Sequence, residues 1–246
     1  MKLFPFKAIY PHEDLIASPD SFFGSVRDDY SEYYRNGFFD ESDIAAFYIM
    51  EIKSGTRVHS GIVACLDIGD YTKGKIVRHE ETIASSEQAM LKILLQRGAM
   101  VKPVLLCHPV IKEISAEITK QKKKRKPFIE FTTTSGPHHY TLYQIPQKEG
   151  VDLANLYKSL VPRVYIADGH HRCSTAEKLL KLQGGKQDKD YSLVLCALFP
   201  FDQLDILDYN KVVALPYHLK HTRFMAEISR YCDIELLGKA IKPGQK

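Results

Sequence analysis

One run of the chain sets several chemically capable groups side by side: Asp168, Gly169, His170, His171 and Arg172, with Ser174 and Thr175 just beyond. An apolar strand, Val164–Ala167, is predicted to run into them, and a helix over Arg172–Leu182 to run out. The first N–H groups of a helix have no intrahelical partner, and the aligned peptide dipoles leave partial positive charge there, so anions bind at such a start. A glycine at 169 lets backbone and ligand approach closely. His170, His171 and Arg172 add donors, and a guanidinium can hold two phosphate oxygens at once. Ser174 and Thr175 add hydroxyls on the first turn. Asp168 places a carboxylate at the strand's end, suited to Mg2+ or to accepting a proton. The plainer reading makes Asp168–Gly169 a turn and Asp168 a helix cap. Two histidines and an arginine in that turn serve no core, however, and convergent polar groups on a loop favour binding. We read 168–172 as an anion site, most naturally for phosphate.

A second cluster is His79–Glu80–Glu81–Thr82, just ahead of a predicted helix. Glu80 or Glu81 could act as general base or metal ligand, with His79 facing the phosphate. The plainer alternative is a charged loop with a capping threonine. Zinc is the rival use for the histidines, since His138–His139, His170–His171 and Cys173 are available. Adjacent histidines do not converge on one ion as helical i, i+4 pairs do, and no CxxC pair supports them. His138–His139 are expected in a hairpin turn, His108 at a strand end, and His218 and His221 on the surface. Neither a Walker A motif nor GxGxxG occurs, so a P-loop or Rossmann site is unsupported.

The elements that must position these groups can be read from pattern. Proline at 5 and 11 disfavours helix at the start. A short helix over Ser25–Tyr34 ends near Gly37. Ala45–Ile52 and Val58–Ile68 form a hairpin about Gly55. A helix follows Ser85, which with Gln88 three residues on resembles a capping box, and stops at Gly98. A strand over Pro103–Cys107 and a helix over Val110–Lys120 come next. Phe128–Thr134 and Tyr140–Ile145 form a hairpin through Ser135–Gly136–Pro137. Asp152 caps a short helix. After the 164–182 unit, closed by Gly184–Gly185, the continuously apolar Tyr191–Phe199 reads as a central strand. A last helix covers Thr222–Cys232 and a short strand Ile234–Leu237. Strands and helices mix throughout, so the class is α+β, a mixed α/β sheet with helices. A lobe boundary near 121–127 would separate residues 1–121 from 127–246.

Composition narrows the partners. Net charge is +4, with 34 basic and 30 acidic residues, a small excess concentrated in Lys122–Lys126. That run reads as solvated surface rather than a nucleic-acid stripe, so a nucleic-acid partner is not expected. Five cysteines lie far apart, which fits buried free thiols in a reducing cytoplasm. There is no signal peptide and no apolar run of membrane-spanning length, so no membrane association is expected.

The run Ile166–Ala167–Asp168–Gly169–His170–His171–Arg172, with Thr175–Ala176, closely resembles the bacterial and archaeal family called domain of unknown function 1015. Pro5–Phe6–Lys7–Ala8, Gly74–Lys75–Ile76, His79–Glu80–Glu81–Thr82 and Leu198–Phe199–Pro200 match it in order. Gly169–His170–His171–Arg172 is also similar to the Gly-x-x-Arg phosphate loop of the ParB/sulfiredoxin-like superfamily, which includes kinases of free serine. The resemblance implies a ParB/sulfiredoxin-like core around 164–182 and a nucleotide or phosphate site, and the expected cofactors are ATP or ADP with Mg2+, which Asp168, or Glu80 or Glu81, would orient. Where sulfiredoxin-like reductases carry a reactive cysteine, this chain has His170, which argues against that chemistry. Family members are commonly longer. They carry a His-Arg pair where this chain has Asn210–Lys211, which retains a basic group and loses a histidine. The functional expectation is a nucleotide-dependent phosphotransferase acting on a small hydroxylated metabolite such as serine. A nucleotide-binding regulator of ParB type, touching nucleic acid through the basic run, and a catalytically inactive member stand as alternatives.

Overall fold

A computed structural model describes residues 1–15, 18–133, 138–182, 191–206 and 214–235. Two compact units divide the chain, Met1–Leu204 and Asp205–Lys246. In the first unit β1 (Ile9–Pro11) pairs antiparallel with β2 (Phe39–Glu41), with α1 (Pro19–Arg35) between them in sequence. Then follow β3 (Ala46–Ser54), β4 (Arg57–Asp67), α2 (Gly69–Thr72), β5 (Ile76–Val77) and α3 (Ala84–Arg97). Next come β6 (Val104–His108), α4 (Lys112–Lys123), β7 (Ile129–Thr132), β8 (His138–Pro146) and α5 (Val151–Leu160). The unit closes with β9 (Val164–Asp168), α6 (His170–Leu182) and β10 (Leu193–Pro200). In the second unit the helix is α7 (His221–Ile228), and His218 and His221 are exposed as expected.

The α+β reading holds. Eight strands form one sheet in the order β5-β9-β6-β10-β4-β3-β8-β7. It is mixed: β5 with β9 and β6 with β10 run parallel, and the remaining neighbours antiparallel. β7 and β8, which follow residues 121–127, share this sheet with β3 and β4, which precede them.

Strand periodicity explains the core. Alternate residues of a strand point to opposite faces, so a strand apolar at every position must be covered on both. In β10, Val194, Cys196 and Leu198 join the larger cluster with Ile114, Leu153, Tyr157 and Cys173. Ala197 and Phe199 join a smaller cluster with Tyr48 and Val63, against which Phe6, Ala8 and Phe128 pack. The expectation of a central strand at 191–199 is met, since β10 lies between β6 and β4.

Several local expectations need correction. The N-cap of α3 is Ile83, with no side-chain cap, so the Ser85–Gln88 capping box does not form. Ser85 lies inside the helix, and the hydroxyl before it, on Thr82, bonds Glu87 instead. Gly150 rather than Asp152 stands at the N-cap of α5. His138 and His139 belong to β8 rather than to a turn, because their cross-strand pairing with Ser54 and Lys53 extends the strand to them. The basic run is partly consumed by ion pairs, Lys122 with Glu51 and Arg125 with Glu149. Ile234 and Glu235 are not in a strand. Residues 135–137, 184–185, 210–211 and 236–237 lie outside the described residues.

Candidate functional site

β5 and β9 are parallel neighbours, with Ile76 opposite Val164 and Val77 opposite Tyr165. The two chains therefore leave the sheet at the same end. One continues into His79–Glu80–Glu81–Thr82, the other into Asp168–Gly169 and α6. This topology brings together two clusters that lie 91 residues apart in sequence at their contact.

α6 begins at His170, two residues earlier than the pattern predicts, so both histidines are helical. The turn beneath closes on one carbonyl: Gly169 O accepts from the N–H of Arg172 at 2.9 Å and of Cys173 at 3.1 Å. The N–H groups of His170 and His171 donate to no backbone carbonyl among the described residues. They are the free donors that a helix start offers.

Gly169 has φ 109°, a conformation in which a side chain is strained. Its bare Cα also seats the Arg172 guanidinium. A Cβ at 169 would come within 2.9 Å of Arg172 Cζ, Nε and Nη2. The space expected for a ligand's close approach is thus occupied by the chain's own cation. Arg172 donates to Asp168 Oδ2 and to the carbonyl of Pro103. Its side chain is 13% exposed, against 61% for Asp168. Asp168 Oδ1 has no hydrogen-bond partner among the described residues.

His170 is the buried centre of the cluster. The backbone N–H of His79 points at its Nε2 from 3.5 Å, and Glu80 Oε2 lies 3.6 Å from its Nδ1. The His79 and His170 rings meet edge-to-face, with centroids 4.5 Å apart. An Nε2 that accepts leaves the proton on Nδ1, facing the carboxylate. Burial, and next the neighbouring His79, hold the His170 pKa below the ordinary histidine value, against the opposing pull of Glu80 and Asp168. Its imidazole is therefore neutral at pH 7 and able to take up a proton.

The remaining expected residues divide. His171 is half-buried, and its Nδ1 is buried without a hydrogen bond among the described residues. Glu81 is exposed and makes no hydrogen bond or ion pair with the cluster. Ser174 and Thr175, expected to add hydroxyls on the first turn, are both buried. They lie on the packed side of α6, where Ser174 donates to Glu87 and Thr175 is 1% exposed.

Glu87 was not among the expected residues. It is 4% exposed, and its carboxylate accepts from Thr82, Ser174 and Lys178. Those hydrogen bonds, Lys178's foremost, pull its pKa down to about 2 against the effect of burial. The available signal was the spacing of Ser174 and Lys178, four apart and so on one helix face. Nothing local identified their partner on α3.

Away from this cluster, His108 and three of the cysteines are built into the core. His108 ends β6, fully buried, with Nε2 3.1 Å from the Tyr157 hydroxyl and Nδ1 2.8 Å from Pro109 O. Cys65, Cys173 and Cys196 are free and buried, and burial pushes the Cys65 and Cys173 thiols up to about 12. Among the described residues no three His, Cys, Asp or Glu side chains converge as a metal site, and no helix is long and apolar enough to cross a membrane.

The arrangement offers free N–H groups at a helix start, a neutral imidazole backed by a carboxylate, and a carboxylate–guanidinium pair beside them. No curated protein and no solved structure matches the chain. A family model does match, over residues 6–246 and so across nearly the whole sequence, and the chain belongs to the family described as Protein of unknown function (DUF1015).

Proposed function

We propose that the start of α6 binds the phosphates of ATP or ADP and that the protein transfers a phosphoryl group to a small hydroxylated metabolite, free serine foremost. The observation that carries this reading is His170: a buried, neutral imidazole on the first residue of a helix, with Glu80 at Nδ1. Phosphoryl transfer needs mainly positioning and charge neutralisation. The N–H groups of His170 and His171 would receive phosphate oxygens, with Arg172 beside them. Asp168 would hold Mg2+ through its unengaged Oδ1, and the ion would neutralise phosphate charge. In the transfer, the acceptor oxygen forms a bond to the terminal phosphorus while the bond to the nucleotide oxygen breaks. The 3.5 Å contact of the His79 N–H with His170 Nε2 gives way, the hydroxyl proton passes to that nitrogen, and Glu80 stabilises the imidazolium. The similarity of Gly169–His170–His171–Arg172 to the Gly-x-x-Arg phosphate loop supports the reading, and buried thiols fit a cytoplasmic enzyme.

A regulatory nucleotide binder is the second reading. The observation favouring it is that the Asp168 carboxylate and the Pro103 carbonyl already engage Arg172. Phosphorus NMR of the protein with nucleotide, Mg2+ and a panel of hydroxy metabolites separates the two. The enzyme reading predicts a phosphorylated metabolite, and a His170→Gln variant whose turnover drops about 10^2 to 10^4-fold with nucleotide affinity nearly kept. Nucleotide binding without any product would favour the regulator. Absence of both would remove the phosphate site.

A further inference from the structure

The carboxylate of Glu87 is bonded both to the His79–Thr82 segment and to α6. Its Oε1 accepts from Thr82, at the end of that segment, and from Ser174, one turn into α6. Thr82 Oγ1 also lies 3.4 Å from Ser174 Oγ, so the three groups close a triangle. Oε2 takes Lys178, one turn further along α6. By contrast, the contacts that join His79 and Glu80 to His170 are long, at 3.5 and 3.6 Å, and Glu80 is 64% exposed. Such contacts do not hold a segment in place by themselves. α3 packs along α6, and Glu87 is buried between them.

We infer that Glu87 is a positioning residue, which clamps the His79–Thr82 segment to α6 and so sets His79 and Glu80 against His170. Its use in catalysis rests on the function proposed above, but the placement itself does not. Glu87 touches no reacting group. It acts through Thr82 on the segment and through Ser174 on the helix that carries His170.

The test reads geometry rather than turnover. In the full chain with labelled histidines, the His79 and His170 ring protons give a nuclear Overhauser contact, as expected for centroids 4.5 Å apart. Glu87→Ala abolishes that contact while the core methyl spectrum is kept. Glu87→Gln retains an oxygen for Thr82 and Ser174, so the contact returns. Should Glu87→Ala not fold, Thr82→Val cuts the segment's arm alone, leaves the Ser174 and Lys178 bonds, and also loses the contact. Persistence of the contact in folded Glu87→Ala or Thr82→Val overturns the proposal. A wild-type chain that shows the contact but forms no phosphorylated product overturns the enzymatic reading and leaves the clamp intact.

Discussion

Replacing Gly169 with alanine tests the turn and the arginine seat together. With φ at 109°, an alanine there carries backbone strain of about 1–3 kcal/mol. Its Cβ would also meet three guanidinium atoms of Arg172 at 2.9 Å. These atoms end a flexible side chain, so the arginine moves rather than the backbone. It then gives up the Pro103 carbonyl, a charge-assisted hydrogen bond contributing about 1.5–3 kcal/mol. It also gives up Asp168, which is 61% exposed, so that pair contributes only about 0.2–1 kcal/mol. Gly169→Ala should therefore destabilise by roughly 3–7 kcal/mol, the strain and the lost contacts together. Arg172→Ala alone forfeits the contacts without the strain. In the double variant the contacts are lost only once, so the two single effects should exceed the double by about 2 kcal/mol, within the coupling seen for touching residues. Urea denaturation of the four proteins measures this cycle. Additivity within about 0.5 kcal/mol would refute the seating of Arg172 on Gly169.

Other expectations are more local. Gly61→Ala places a Cβ 2.6 Å from Leu198 O and 2.7 Å from the Phe199 ring, so overpacking should lower the urea midpoint by an equivalent of about 1–3 kcal/mol. Tyr157→Phe strips a buried acceptor, His108 Nε2, of its donor and should cost about 1–3 kcal/mol by the same assay, and a neutral result would refute that bond. Glu87 has its pKa lowered from 4.5 to about 2, so its stabilisation is complete above pH 4.5 and is lost as pH falls toward 2. Stability measured against pH should decline across that window in the wild type and stay flatter in Glu87→Gln. Burial holds the His170 pKa below the ordinary histidine value, so the acid limb of turnover that depends on it should centre below 6.5, and a limb centred above 6.5 would exclude it as the base.

Much of this protein was legible in its sequence because the physics that shapes a strand, a turn or a helix end acts over a few residues. The apolar run of β10 called for cover on both faces and received it. The strand–glycine–helix order at 164–182, and the basic and acidic groups within it, needed no more than adjacency in the chain. Family membership follows from the same residues. What only the tertiary structure decided was which side of α6 faces what. Hydroxyls at 174 and 175 look in sequence like neighbours of the turn, yet a rotation of 100° per residue carries them to the packed side, onto Glu87 and the core. Arg172 turned back on Asp168 because the missing side chain at 169 leaves room there. His79 and Glu80 reached His170 because β5 and β9 run parallel, a pairing that depends on the whole sheet and leaves no mark in either segment.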